Sequence, residues 1–392
     1  MHLFRLTLAN FRNYTALDLS LSPGLNLLMG PNAAGKSNLL EAVALLSTGR
    51  SPRAGTDREM LRHGAVADPI PFVRVVGEIR SGDQATTIEV VAQFAGDLAG
   101  GPDSARLRAQ KRLLVNRVAR RATQLVGLFP TVLFSPTEVE LVSGPPGVRR
   151  HFLDVLGCQL DPAYLRALQQ YQRVLPQRNQ LLRLLREGRA QEDELTFWDE
   201  RLVANGACLM AARQESIRLL EPLALGALRQ LSDGSEALQL RYLPALGEAV
   251  ETEKGVEGPW VERLGAALAA SRRRELGAGA TLVGPHRDDL TLLLDGVDAA
   301  VYASRGQQRC LALGLKVAEA GLLEARHGQP PVLLLDDILS ELDQERRRRL
   351  MVLLAGARQT LLTTAEPETL AGVATAGAAR YRVEGGTVVA AR

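Results

Sequence analysis

Gly30-Pro31-Asn32-Ala33-Ala34-Gly35-Lys36-Ser37 fits the pattern G-x-x-x-x-G-K-[ST] at every fixed position. An apolar run at 25–29 precedes it, and a helix-like run beginning at Asn38 and ending near 46 follows. Strand, glycine-rich turn and helix N-terminus therefore come in succession. The glycines let backbone N–H groups converge on phosphate oxygens, and the helix end adds partial positive charge. In such a loop Lys36 reaches the β- and γ-phosphates of ATP, and Ser37 ligates Mg²⁺. Gly30 through Asn38 form the expected ATP-binding segment of an α/β fold.

A loop of this kind needs a carboxylate at the end of a neighbouring strand. Residues 332–335 are a short apolar run ending in Asp336 and Asp337. Asp336 is expected to hold Mg²⁺ with Ser37, and Asp337 to orient or deprotonate the attacking water. Asp is one methylene shorter than Glu, so slow hydrolysis is expected.

Other segments fill out the organisation. Strands are expected at 3–8, 16–21, 72–80 and 86–94, the last two joined by Ser81-Gly82-Asp83 as a hairpin. From about 148 to 231 apolar residues recur at helical spacing, and Pro176 and Pro222 are expected to kink or break those helices. Strands return at 290–294, 299–302, 331–335, 360–363, 380–383 and 387–390. The expected division is an N-terminal part of the core at 1–145, a helical insertion at 146–275 and a C-terminal part at 276–392. No heptad run is long enough for an extended coiled coil.

Composition narrows the class. The chain has 392 residues, 46% hydrophobic and 23% charged, with formal net charge +3, so polyanion affinity must come from local patches. Of 47 basic residues only four are lysines (Lys36, Lys111, Lys254, Lys316), which leaves 43 arginines. Coding bias explains most of that. Lys36 falls where the loop geometry demands lysine, because a planar guanidinium fits it poorly; the other three read as surface residues. Three widely spaced cysteines (Cys158, Cys208, Cys310), no signal-peptide pattern and no long apolar run fit a cytoplasmic protein.

The densest one-sign segment is 106–121, with Arg106, Arg108, Lys111, Arg112, Arg117, Arg120 and Arg121 and no acid. It is a candidate for salt-dependent contact with a DNA backbone, and equally reads as a solvated hairpin face. No aromatic residue lies in it, so duplex contact is favoured over base stacking. Gly284-Pro285-His286-Arg287-Asp288-Asp289 mixes acid, base and imidazole, yet no nucleophile accompanies His286; a structural turn is the better reading.

Ser304-Arg305-Gly306-Gln307 opens a helical run, and Ser340-Glu341-Leu342-Asp343 follows the Asp pair. Here the chain resembles the ABC-type ATPase heads, whose signature motif has a Ser-x-Gly-Gln core and whose D-loop follows the paired carboxylates. Within that class it is similar to the RecF family of SMC-like DNA-repair ATPases. The resemblance rests on Asn10–Tyr14, the phosphate loop running into Ala42, Phe134-Ser135-Pro136, Arg149-Arg150, Phe152-Leu153-Asp154, Gly284–Asp289, Ser304–Arg309 and Leu335-Asp336-Asp337. It implies a mixed sheet with antiparallel strands and an inserted helical lobe. It implies Arg12 as a further ATP-binding residue, and Ser304, Gly306 and Gln307 acting in trans, with Asp343, across an ATP-dependent homodimer. It also implies DNA binding and work with RecO and RecR in loading RecA. No histidine follows the 360–363 strand, where Thr363 or Thr364 sits instead, and Ser135-Pro136-Thr137-Glu138 stands where a Q-loop glutamine would lie. Two alternatives stay open: a transporter's ATP-binding subunit and a non-hydrolysing ATP-binding scaffold.

Overall fold

The computed structural model describes residues 1–95, 108–232, 234, 236–246, 259–370 and 375–391. The chain forms two compact units. One comprises Met1–Glu138, Gly226–Ser235 and Leu313–Arg392; the other comprises Val139–Leu225 and Glu236–Ala312.

The first unit holds two six-stranded sheets. The antiparallel one contains β1 (His2–Phe11), β2 (Tyr14–Ser20), β4 (Phe72–Ser81), β5 (Gln84–Ala95), β6 (Arg108–Val115) and β7 (Val118–Arg120), in the order β2-β1-β4-β5-β6-β7. The mixed one contains β3 (Gly24–Met29), β8 (Thr131–Phe134), β12 (Val332–Asp336), β13 (Gln359–Thr364), β14 (Ala379–Glu384) and β15 (Thr387–Ala391). Its order is β15-β14-β3-β13-β12-β8, parallel except for the β14–β15 hairpin. Every residue of β13 is buried, as a strand covered on both faces requires. Helix α1 (Lys36–Thr48) contacts strands of both sheets. Leu39, Leu40, Val43, Leu45 and Leu46 are each fully buried, so the helix is apolar nearly all round.

The second unit is mainly helical: α2 (Pro146–Leu160), α3 (Pro162–Arg186), the start of α4 (Leu195–Leu231) and α5 (Trp260–Ala278). It adds a three-stranded sheet of β9 (Leu238–Leu243), β10 (Asp289–Leu294) and β11 (Val297–Asp298). A core of Tyr164, Tyr171, Leu202, Leu209, Met210, Leu264 and Leu268 joins α3, α4 and α5. Helix α6 (Arg305–His327) starts in this unit and ends in the first; α7 (Gln344–Leu353) belongs to the first. Among the described residues no helix is long and apolar enough to cross a membrane.

Several expectations need correction. Residues 299–302 are a helical turn, not a strand. The 295–296 hairpin turn, with φ of 51° at Asp295 and 82° at Gly296, closes straight onto β11, and the Asp298 side chain then accepts from Ala300 N–H at 2.8 Å, starting a helix. Pro176 and Pro222 break nothing: each lies inside an unbroken helix on its exposed side. The carbonyls they leave unpaired, one turn back, share that face and are open to water. Finally, 276–312 clusters with the helical unit, although the sequence grouped it with the ATPase core.

Candidate nucleotide-binding site

The site in the first unit is built where β3 turns into α1. Ala33 (φ 64°) and Gly35 (φ 112°) adopt left-handed backbone, which bends the chain round the loop. A Cβ on Gly35 would stand 2.5 Å from Asn13 Nδ2 and 2.8 Å from Tyr14 Oη, so only glycine fits. The Lys36 ammonium is folded into the loop, donating to the carbonyls of Gly30 (2.7 Å) and Pro31 (2.9 Å). Burial lowers its pKa, and the carboxylates of Asp337 and Asp336 oppose that.

Strand β12 delivers the carboxylates. Ser37 Oγ donates to Asp336 Oδ1 at 2.7 Å, joining residues 299 positions apart. Thr363, at the matching level of β13, donates its hydroxyl to the same Oδ1 at 2.9 Å and accepts from Asp337 N–H at 2.9 Å. Asp337 itself has left-handed backbone, with φ 50°. Desolvation pushes its carboxyl pKa up; Lys36 pulls it down and Asp336 pushes it up again. Ser37 and Asp336 offer paired hard oxygens of the kind Mg²⁺ takes.

Asn13, to which sequence reasoning gave no role of its own, donates to the Ala34 carbonyl at 3.0 Å and accepts from Asn38 at 2.8 Å. In the sequence, Thr363 or Thr364 only marks the place of an absent histidine; the structure gives Thr363 the bonds to Asp336 and Asp337. The β14–β15 turn also reaches the loop: Gly386 N–H donates to Ala34 O at 3.4 Å, and a Cβ there would stand 2.7 Å from Asn13 O.

Arg12, expected to contact ATP, is paired with Glu41 in this structure. Its guanidinium donates to Glu41 at 2.6–3.1 Å and to the Glu59 carbonyl at 2.6 Å. Glu41 is 1% exposed and also accepts from Ser51 Oγ at 2.5 Å. A buried carboxylate requires this pairing, and no sequence spacing announced it.

The signature residues lie in the second unit. Ser304 and Gln307 form a reciprocal cap at the start of α6: Gln307 Oε1 accepts from Ser304 N–H at 3.0 Å, and Ser304 Oγ from Gln307 N–H at 3.3 Å. Both Ser304 and Arg305 are exposed, and Gly306 is half-buried. Asp343 caps α7, accepting from Arg346 N–H at 2.9 Å.

The basic segment becomes the β6–β7 hairpin, turning at Asn116 (φ 51°) and Arg117 (φ 66°). Arg106 lies outside the described residues, and Arg108 opens β6. Strand alternation sends Arg112 to one face and Lys111 to the other, where Lys111 Nζ pairs with Asp57 at 2.6 Å. Arg112, Arg117, Arg120 and Arg121 are exposed. Lys316 is no surface residue: it is 6% exposed and pairs with buried Glu319 at 2.5 Å. Lys254 lies outside the described residues.

His286 is embedded in the second unit. Its Nδ1 meets Tyr171 Oη at 2.7 Å and its Nε2 meets Thr281 O at 3.2 Å, while burial lowers its pKa to about 4. Its neighbours Asp288 and Asp289 anchor arginines, Asp289 taking Arg149 at 2.7 Å and Asp288 taking Arg213 at 3.2 Å. Arg213 (3% exposed) and Arg178 (fully buried) were not singled out in the sequence; each ties several segments of this unit together.

The model of the RecF/RecN/SMC N terminal domain family matches residues 2–385. The chain is 44% identical, over the full length of both, to the DNA replication and repair protein RecF of Chloroflexus aurantiacus, and 41% identical to that of Moorella thermoacetica, covering 93% of this chain and 90% of the other. The chain belongs to the RecF family. A RecF-family structure, that of the recombination mediator protein RecF-ATP in the RecFOR pathway, superposes with TM-score 0.84 at 33% identity, covering 100% of this chain and 98% of that one. An Smc head superposes with TM-score 0.53 at 14% identity over 100% of this chain and 98% of that one, a likeness of fold alone. The fold is thus the ABC-type, SMC-like ATPase head, as the signature and phosphate-loop residues implied.

Proposed function

We propose that this protein is an ATP-switched DNA-repair clamp, in which ATP joins two copies on duplex DNA and slow hydrolysis releases them. The observation that carries it is the Ser37–Asp336–Thr363 cluster beside Lys36, which is one copy's share of a triphosphate cradle. Membership of a family of DNA replication and repair proteins supplies the setting.

The residues have separable tasks. Loop N–H groups between Asn32 and Ser37 take phosphate oxygens, Gly30 N–H being held by the Thr364 carbonyl at 3.3 Å, and Lys36 exchanges its carbonyl partners for the β- and γ-phosphates. Ser37 and Asp336 would hold Mg²⁺, which would neutralise charge on those oxygens. Thr363 keeps Asp336 aimed and fixes the Asp337 backbone, and Asp337 takes the proton of the attacking water. The Ser304–Gln307 cap, whose Ser304 is exposed and has a helix N-terminus behind it, meets the γ-phosphate held by the other copy, beside Asp343. Arg12 acts on the nucleotide only if ATP draws it from Glu41. The exposed arginines of the β6–β7 hairpin contact DNA. RecR, RecO and RecA are the partners, and the work is done in the cytoplasm, at junctions between single- and double-stranded DNA.

The test is mass and duplex retention measured with ATP·Mg²⁺, with ADP and without nucleotide. A doubled mass and retained duplex with ATP alone are expected. A mass that stays monomeric with ATP sinks the clamp.

A further inference from the structure

We propose that the exposed face of α3 is a second docking surface for the phosphodiester backbone of duplex DNA; this rests on the DNA-clamp reading above. The 25 residues of α3 include no Asp or Glu. Acids number 44 in 392 residues, so a stretch of that length would ordinarily hold nearly three. Arginine is common everywhere in this chain; what marks α3 is the missing acid.

Placement sharpens the point. Arg166, Gln170, Arg173, Gln177 and Gln180 recur at alternating steps of four and three, so they line one face, and all five are exposed. The stripe runs about 21 Å at 1.5 Å per residue, more than half of one ~34 Å duplex turn. Arg166 and Arg173 form no ion pair among the described residues. Glutamine and arginine are both donors to phosphate oxygens, and neither repels them. Two acids beside this helix face inward, Glu275 fully buried against Arg178 at 2.6 Å and Asp199 taking both Arg178 and Arg272; the exposed acids at its ends are engaged, Asp161 accepting from Ala163 N–H at 2.7 Å and Glu187 pairing with Arg189 at 3.2 Å. Neutralising Arg178 and Arg272 leaves Arg273 and Arg274 exposed on α5, which packs on α3. Exposed Glu262 lies in the first turn of α5, away from that pair, and the acidic stretch Glu192–Glu194 begins only after α3 has ended. The β6–β7 hairpin, by contrast, sends Lys111 and Arg112 to opposite faces and pairs Lys111 with Asp57.

The experiment is a salt titration of binding to a short labelled duplex with ATP·Mg²⁺ present, comparing the parent with Arg166→Ala/Arg173→Ala. Each lost phosphate contact lowers the slope of log affinity against log salt by ~0.9, so a fall of about 2 is expected, with affinity down about tenfold at fixed salt. Arg166→Lys/Arg173→Lys keeps the charge and is expected to keep the slope. Nucleotide binding by the Ala variant should match the parent, which shows that it folds. An unchanged slope in the Ala variant, with the parent binding duplex, overturns the α3 surface and leaves the clamp reading standing. A parent that does not bind duplex overturns both. If the Ala variant loses binding to poly-glutamate and keeps duplex binding, the surface serves an acidic protein and the assignment is wrong.

Discussion

Asp337 shows how a single residue carries both fold and chemistry. Its left-handed backbone is uncommon for a non-glycine residue, though aspartate tolerates it better than most. Thr363 Oγ1 accepts from its backbone N–H at 2.9 Å, and the backbone N–H of Ala365, just past β13, donates to the Asp337 carboxylate. Desolvation raises its pKa, and only the ionised form accepts a proton. Hydrolysis should therefore fall, as pH drops, at a higher pH than an ordinary carboxylate would give. Asp337→Asn should keep ATP binding and lose turnover ~10²–10⁴-fold, with no such pH limb; parent-like turnover would remove the role. His286 makes a different prediction. Its folded pKa is depressed to about 4 from 6.5, so the stability it contributes is full above 6.5 and is lost as pH falls toward 4. The total is about 3 kcal/mol, at ~1.4 kcal/mol per pKa unit. Melting temperatures of the parent should drop across that window, and His286→Gln should flatten the drop. Equal slopes for both proteins would contradict it.

At the scale of elements, the β6–β7 hairpin and the cap of α6 carry proposed functions on exposed surfaces. The run 106–121 reads as one patch because sequence is linear, but a strand alternates its faces and the helical turn Asp57–Met60 supplies Asp57. What remains is Arg112 on β6 with Arg117, Arg120 and Arg121 near the turn and edge. Arg112→Ala/Arg117→Ala should lower the salt slope of duplex binding by up to about 2, read from the same kind of titration. An unchanged slope would take the hairpin off the DNA face. Helices were legible in the periodicity of 148–231, including their apolar stripes; proline positions misled because exposure decides whether an unpaired carbonyl finds water. The short strand β9 and the helical turn at 299–302 were not legible, since β9 gains its identity from pairing with β10 and the turn from the Asp298 cap.

For the whole molecule, the nucleotide site and the signature belong to different units and to different copies in the proposed assembly. Their loss should therefore look different. Lys36→Ala should abolish the ATP-dependent rise in melting temperature, because ligand that no longer binds cannot stabilise. Ser304→Arg should keep that rise and lose the ATP-dependent doubling of mass, since a large cation crowds a site completed only across the interface. Identical behaviour of the two variants in nucleotide binding would refute the role given to Ser304.

Local residue order was enough for the phosphate loop, the apolar β12 strand ending in two aspartates, the signature cap and the α/β class. Each of these is set by neighbours within a few positions: a glycine where φ must be positive, a lysine at the helix start, an apolar run that must be buried. Tertiary structure alone decided that Thr363 holds Asp336, that Asn13 props the loop, that Glu41 claims Arg12, that Lys111 and Lys316 are paired, and that on α3 Arg178 is paired while Arg166 and Arg173 form no ion pair among the described residues. Most of these pairs join residues tens of positions apart, and Lys316–Glu319, an i,i+3 pair, is buried only because the fold covers that helix face. A buried or half-buried charge takes whichever partner the fold brings within about 3 Å, because leaving it unpaired costs more than any local preference can return.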